Sequence, residues 1–153
     1  MALHSPAADT ALVLLADDAD HLQVISATLQ DAVCTVGDIS FEKASRRLTV
    51  SLNRFRWEAA AARSGGQRVR AGLQLGGVLD VKAKRLRRDA SKAILSLLAV
   101  SFEAGDAPGG VVSLTFAGGG ELRVEVECID AVLADVSRPW PTPRRPAHDL
   151  SGS

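Results

Sequence analysis

Few side chains in this sequence could carry acid–base chemistry. Glu125 and Glu127 share one face of a predicted strand, about 7 Å apart at two residues' rise, which is within the range of glycosidase carboxylate pairs. His148 stands beside Asp149, but neighbours in an extended chain point in opposite directions, so the aspartate would not orient the imidazole. An enzyme that uses His148 with Glu125 and Glu127 is therefore the least supported interpretation, and no catalytic residue is assigned.

An acidic cluster and two cysteines are the candidates for a metal site. Asp17, Asp18 and Asp20 lack the spaced ligands and the glycine of a calcium loop, and the cap of a helix explains them better. Cys34 and Cys128 form no Cys-x-x-Cys pair; they are interpreted as small buried thiols, with a disulfide as the alternative. The sequence predicts neither a metal nor a cofactor.

Basic residues are the better-supported candidates for binding. Five of them crowd into the seven residues Lys82–Arg88, and Arg68 and Arg70 lie on the outer face of the preceding predicted strand. If the two strands joined at Gly76-Gly77 pair, these cations form a stripe that suits nucleic acid. The chain has only four phenylalanines and two tryptophans to stack bases. A charged surface that prevents edge-to-edge aggregation is the alternative.

The C-terminal segment offers a second kind of binding feature. Residues 137–149 hold four of the six prolines, which exclude a helix or a central strand and predict an extended tail. Trp140 would anchor this tail in a groove of the same domain or in a groove of a partner. Arg144, Arg145 and His148 follow in the tail.

A change of parity marks the middle of the chain. Leu48, Val50 and Leu52 alternate in one phase, whereas Phe55 and Trp57 alternate in the other. A bulge, bend or sheet crossing near residue 53 would absorb this slip. It would place the two aromatic residues on one side of the strand and two arginines on the other. The complete set of candidate binding residues is Arg54, Arg56, Trp57, Arg68, Arg70, Lys82, Lys84, Arg85, Arg87, Arg88, Trp140, Arg144, Arg145 and His148.

Periodicity predicts the elements that must position these residues. Residues 11–15 form a strand, a helix capped by Asp17 or Asp18 runs to about residue 33, and a hairpin turns at residues 43–46. Residues 93–102 are almost continuously apolar, which predicts a central strand buried on both faces, with a short buried helix as the alternative. Residues 129–136 fit a short helix slightly better than a continued strand.

Three consecutive glycines, Gly118–Gly120, admit two interpretations. A phosphate-binding loop must open a helix, whose N-terminal amides bind the anion. The residues that follow alternate with period two instead, as do those that precede. The glycines therefore predict the turn of a β-hairpin.

Composition limits the class of protein. The 153 residues fit one domain, and eighteen basic residues balance eighteen acidic ones, so no global field favours nucleic acid or an anionic membrane. No apolar run approaches the ~20 residues that span a bilayer, and the first residues lack the pattern of a signal peptide. We expect a cytoplasmic protein without a membrane contact, either a monomer or a homodimer.

Several sequence blocks together form a specific pattern. They are residues 52–58, residues 93–100, the glycine turn leading into residues 124–129, and residues 145–149. In these blocks the chain resembles an uncharacterised alphaproteobacterial family, domain of unknown function 2948. The resemblance covers nearly the whole chain after the first residues. It implies no reaction, ligand or catalytic residue, because the family has none assigned.

The predicted fold is α+β and mostly β. It is an antiparallel, strongly curved sheet or partly open barrel with one N-terminal helix and an extended proline-rich tail, and a pleckstrin-homology-like barrel is one compatible arrangement. Residues 1–9 are a flexible leader, 10–136 a single β-rich domain and 137–153 a tail docked in part. The predicted function is a small non-enzymatic binding or protein-interaction module, with nucleic-acid binding through Lys82–Arg88 as the alternative.

Overall fold

The computed structural model describes residues 11–59, 66–87 and 89–142. Its helix α1 spans Ala19–Thr28, and single 3₁₀ turns cover Val36–Asp38 and Trp57–Ala59. The strands are β1 (Val13–Ala16), β2 (Val33–Thr35), β3 (Ile39–Glu42), β4 (Arg47–Phe55), β5 (Gln67–Leu75), β6 (Val78–Lys84), β7 (Ile94–Ala104), β8 (Gly110–Phe116), β9 (Glu121–Val126), β10 (Ala131–Asp135) and β11 (Trp140–Pro141).

These strands form one curled antiparallel sheet. Its order is β1-β10-β5-β4-β2-β7-β8-β9-β6, with β3 added to β4 and β11 added to β5. The two ends of this order, β1 and β6, do not pair with each other among the described residues, so the sheet curls without closing. The predicted fold class is confirmed.

The chain crosses the curled sheet at two neighbouring points. After β5 the Gly76-Gly77 turn leads into β6, which pairs with β9, while β5 pairs with β4 and β10. The return crossing runs from β9 to β10, and its Asp130 carbonyl accepts a hydrogen bond from the Gly76 amide. The two strands on either side of Gly76-Gly77 therefore do not pair, and the condition for a continuous basic stripe is not met.

Helix α1 packs its apolar face on the sheet. Asp18 caps it, with its carboxylate accepting a 2.8 Å hydrogen bond from the His21 amide, as the sequence predicted. Leu22 and Ile25 are buried in the core. The helix ends at Thr28, five residues before the predicted end, because the chain then turns to place β2 between β4 and β7.

Two expectations for individual elements are wrong. Residues 94–104 form strand β7, but Ile94 and Leu98 expose 74% and 45% of their surface, so β7 is not buried on both faces. Residues 131–135 form strand β10 rather than a helix, because they pair on both sides with β1 and β5. The glycine turn, by contrast, joins β8 and β9 as predicted.

The beginning of the proline-rich segment lies along the sheet. Trp140 and Pro141 form β11 opposite Arg68 and Gln67 of β5, with Trp140 37% exposed. Arg88, Arg144, Arg145 and His148 lie outside the described residues. No helix among the described residues is long and apolar enough to cross a bilayer.

Candidate functional site

The parity change in the middle of β4 has a different cause from the predicted bulge. The register between β4 and β5 is continuous from Leu48↔Leu75 to Phe55↔Arg68. The inner face therefore continues from Leu52 to Arg54, whose side chain is completely buried. Of the bulge, bend or sheet crossing expected near residue 53, the bulge is wrong, because an arginine occupies the next inward position of an unbroken register.

The buried guanidinium of Arg54 has an acceptor for every hydrogen. Its Nε and Nη2 donate to the two Asp135 carboxylate oxygens at 2.8 and 2.9 Å. Its Nη1 and Nη2 donate to the Glu58 carboxylate at 3.0 and 2.8 Å, and Nη1 also reaches the Phe55 carbonyl at 3.3 Å. These five bonds match the five donors of a guanidinium.

The charges of this cluster compensate one another. Burial disfavours the charged Arg54, but the hydrogen bonds that it donates to Asp135 and Glu58 outweigh burial and raise its pKa. Burial likewise tends to raise the pKa of Glu58, yet the bond from Arg54 holds that pKa below its ordinary value. An arginine paired this completely has no donor left for a ligand. Its function is to join β4, β10 and the turn at residues 57–59.

The aromatic residues at the end of β4 are packed against other residues of the same chain. The Phe55 and Trp57 rings meet edge to face with centroids 4.6 Å apart, and the Arg68 guanidinium lies 6.0 Å from the Phe55 ring. Gly66 lies so close to Phe55 that a Cβ atom there would fall 2.6 Å from the ring. The buried Arg56 contacts Gln67 and Glu58. These candidate residues stabilise the sheet end.

Arg70 belongs to another internal network. It donates to Asp38 at 2.9 Å and to the Asn53 side chain at 3.0 Å. Burial tends to raise the pKa of Asp38, but hydrogen bonds from Thr35 and Arg70 lower it overall. Burial, reinforced by Asp38, raises the pKa of the neighbouring Cys34 thiol to about 12. Such a thiol is protonated and unreactive at neutral pH.

The basic residues of β6 stand on a sheet face of mixed charge. Lys82 lies opposite Arg123 of β9, Lys84 opposite Glu121, and Asp80 opposite Glu125. Arg123 is in turn 3.4 Å from Glu103. Among the described residues, the cations therefore alternate with carboxylates across this face. Lysines on an edge strand also repel the same edge of a second copy of the chain.

The carboxylates considered for catalysis do not converge. Glu125 is exposed on β9, and Glu127 lies just beyond that strand, where it accepts a 2.7 Å hydrogen bond from Arg46. Near the start of α1, Asp17, Asp18 and His21 come within ligand distance of one another, but all three are exposed. Asp18 is already used as the helix cap, which leaves this cluster without a buried metal cradle.

An apolar cleft lies between β3 and β6, which do not pair with each other among the described residues. Its volume is about 390 Å³. The walls come from β3, β6 and the segment after β6, and the floor from β4 and β9. The lining residues are Val36, Gly37, Ile39, Phe41, Leu48, Val81, Ala83, Leu86, Ser91 and Leu122. Only one of these ten, Ser91, has a polar side chain, so the cleft suits an apolar group.

The segment that follows β6 shapes one end of this cleft. Ser91 and Ala93 accept backbone hydrogen bonds from Gly37 and Val36 at 2.8 and 3.1 Å. Leu86 reaches inward against Gly120, where a Cβ atom would fall 2.5 Å from it. The third glycine of the β8–β9 turn therefore makes room for a cleft-lining side chain. This wall also exposes Lys82, Lys84, Arg85, Arg87 and Lys92, against Asp80 and Asp89.

Sequence reasoning named the basic residues beside this cleft but missed its lining. The sequence predicts a strand at Ile39 and Phe41 but gives no sign that this strand faces β6. On β6, the apolar Val81 and Ala83 alternate with lysines. That alternation indicates one inward apolar face on β6. The distant β3 meets it only because the sheet curls, which no local pattern predicts.

A second, shallower groove lies beside helix α1. It is lined by Asp20, Gln23, Val24, Ala27, Thr28, Trp57 and Glu58. The Trp57 indole donates to the Gln30 carbonyl at 3.3 Å across its end. Three of its seven lining residues, Asp20, Gln23 and Glu58, carry a carboxylate or an amide, groups that the cleft lining lacks.

Comparison with known proteins identifies the chain at the level of family. Comparison with curated proteins and with solved structures gave no match. The family model described as "Protein of unknown function (DUF2948)" matches residues 12–148, which include all eleven strands and the helix. The chain belongs to this family.

Proposed function

We propose that the protein is a non-enzymatic binding module that takes an apolar group into the cleft between β3 and β6. The observation that carries this proposal is the lining: nine apolar residues and one serine around about 390 Å³. Clefts of roughly 300–1,000 Å³ with mostly apolar walls are typical of ligand sites. Each methylene moved from water into such a site contributes about 0.8 kcal/mol, or about fourfold in affinity.

The floor of the cleft supports this proposal. Leu48 and Leu122 expose 1% and 4% of their surface, so they belong to the packed core and form a rigid base. Ile39, Phe41, Val81 and Ala83 are partly buried and pack against that core. A preformed apolar site of this kind binds without the cost of ordering its own walls.

The chemistry of the described residues favours binding over catalysis. The Arg54 guanidinium is fully paired with the Asp135 and Glu58 carboxylates, and the Cys34 thiol is buried with a raised pKa. Ser91, the polar residue of the cleft, has no base among the lining residues. Nucleic-acid binding has weaker support. Arg68 and Arg70 of β5 donate hydrogen bonds to Asn53 of β4, and β5 does not pair with β6, so these arginines do not extend the basic run of β6 into a stripe. The cytoplasmic location stays a prediction.

Titration with N-phenyl-1-naphthylamine, a neutral apolar fluorophore, tests the proposal. We expect saturable fluorescence enhancement that Ala83→Trp weakens at least tenfold, because the indole would fill the cleft from β6. The matched control is Ala104→Trp, at an exposed position of β7, which should leave the affinity unchanged. Equal binding by both variants, or no binding by the unmodified protein, would refute the cleft as the binding site.

A further inference from the structure

We propose that the occupant of the cleft is an extended acidic peptide segment of a partner protein, which adds as a strand to the free edge of β6. This inference rests on the proposed function, because it concerns the same cleft. It goes further by assigning the partner a backbone conformation, a side-chain pattern and a charge.

The first observation is the free edge itself. β6 pairs with β9, and among the described residues no strand pairs with its other side. In the same described part of the chain, β3 on the opposite wall of the cleft has β4 as its one strand partner. Alternate residues of an edge strand direct their N–H and C=O groups away from the paired neighbour. The Val78 amide at the start of β6 donates to the Arg46 carbonyl at 2.9 Å, so the edge that an extended peptide can bind begins after this residue.

The second observation is the alternation of side chains along β6. Val81 and Ala83 line the cleft, whereas Lys82 and Lys84 are exposed on the other face. A strand added beside β6 alternates in the same way, because side chains on neighbouring strands share faces. Its inward residues must be apolar to occupy the cleft. Its outward residues meet the lysines.

The third observation is the sign of the charge on this wall. The exposed charged residues of β6 itself are Asp80, Lys82 and Lys84, and Arg85 and Arg87 follow the strand in exposed positions. The carboxylates that balance the two lysines, Glu121 and Glu125, lie on β9, one strand farther from the free edge. Opposite charges in directly facing positions of two strands attract, and like charges repel. Acidic residues are therefore favoured at the outward positions of the added strand.

The C-terminal segment of the chain itself fits this edge poorly. Pro143 and Pro146 lack the N–H that a ladder requires. Arg144 and Arg145 have the same sign of charge as Lys82. A separate acidic partner meets the requirements that this segment does not.

A defined peptide pool tests the inference. The pool consists of nine-residue peptides in which glutamate alternates with a mixture of valine, leucine, isoleucine and phenylalanine, titrated by fluorescence anisotropy against the full chain. We expect saturable binding that the double variant Lys82→Glu, Lys84→Glu weakens at least tenfold. Replacing every glutamate of the pool by lysine should weaken binding at least as much. The control Arg138→Glu, at an exposed position after β10, should not change it.

N-methylation of the peptides separates strand addition from mere insertion of side chains. Methylating alternate backbone nitrogens in one register should weaken binding at least tenfold, and in the other register it should be tolerated, because only one set of N–H groups faces β6. Absence of binding by the acidic pool, equal binding by the lysine pool, or indifference to both methylation registers would overturn the inference. If the neutral fluorophore still occupies the cleft in that case, the proposed function stands; if it also fails to bind, both fall.

Discussion

The two ends of strand β4 show opposite solutions to the same problem, an inward-facing position at the edge of the core. At Leu48 the sheet opens, and the side chain forms the floor of an apolar cleft. At Arg54 the sheet is sealed, and the guanidinium donates five hydrogen bonds to Asp135, Glu58 and a backbone carbonyl. The open end borders the apolar cleft, whereas the sealed end borders the groove beside α1, whose lining includes Glu58.

Residue type alone does not distinguish a structural cluster from a candidate binding surface. A buried arginine between two carboxylates resembles binding machinery in sequence, but every polar group in it is satisfied. The cleft is lined mostly by apolar side chains, yet it is concave and accessible. Completeness of hydrogen bonding therefore separates the structural end of β4 from the end that borders the proposed binding cleft.

The largest expected effect is at the sealed end. Asp135→Ala leaves the buried Arg54 with one carboxylate and removes the acceptor for the Leu12 amide. Breaking a buried ion pair typically costs about 3–5 kcal/mol, and we expect a loss of about 3 kcal/mol or more in the free energy of unfolding, measured with urea. Arg47→Ala, at an exposed position of the same strand, should change it by less than about 0.5 kcal/mol. Comparable losses for both variants would contradict the structural role of the cluster.

A smaller effect concerns pH. The pKa of Glu58 is lowered in the folded protein from its ordinary value of 4.5. Its stabilising contribution is therefore complete above that ordinary value and is lost as the pH falls through the lowered pKa. We expect Glu58→Gln to reduce the dependence of urea unfolding on pH below 4.5 while leaving fluorophore binding at pH 7 unchanged. An unaltered pH dependence would show that Arg54 does not stabilise the Glu58 carboxylate.

The sequence predicts these two ends unequally. Local patterns are sufficient to predict three features, because each depends on residues close together in the chain: the hairpin of β3 and β4, the cap at Asp18 and the glycine turn. The sequence predicts Arg54 as a binding residue because its partner Asp135 lies 81 residues away and cannot be inferred locally. A polar residue at an inward position also produces the same pattern as a slip of register. β10 resembled a helix because both its faces carry apolar residues, and its pairing with β1 and β5 is non-local.

The most direct test of the central claim is a two-dimensional ¹H–¹⁵N NMR titration of the full chain with N-phenyl-1-naphthylamine. We expect the amide shifts to concentrate at cleft residues, namely Gly37, Phe41, Val81, Ala83 and Leu122, while the amides of Arg54 and Asp135 at the sealed end do not move. Shifts concentrated at Arg54 and Asp135, or in the groove between α1 and Trp57, would contradict it.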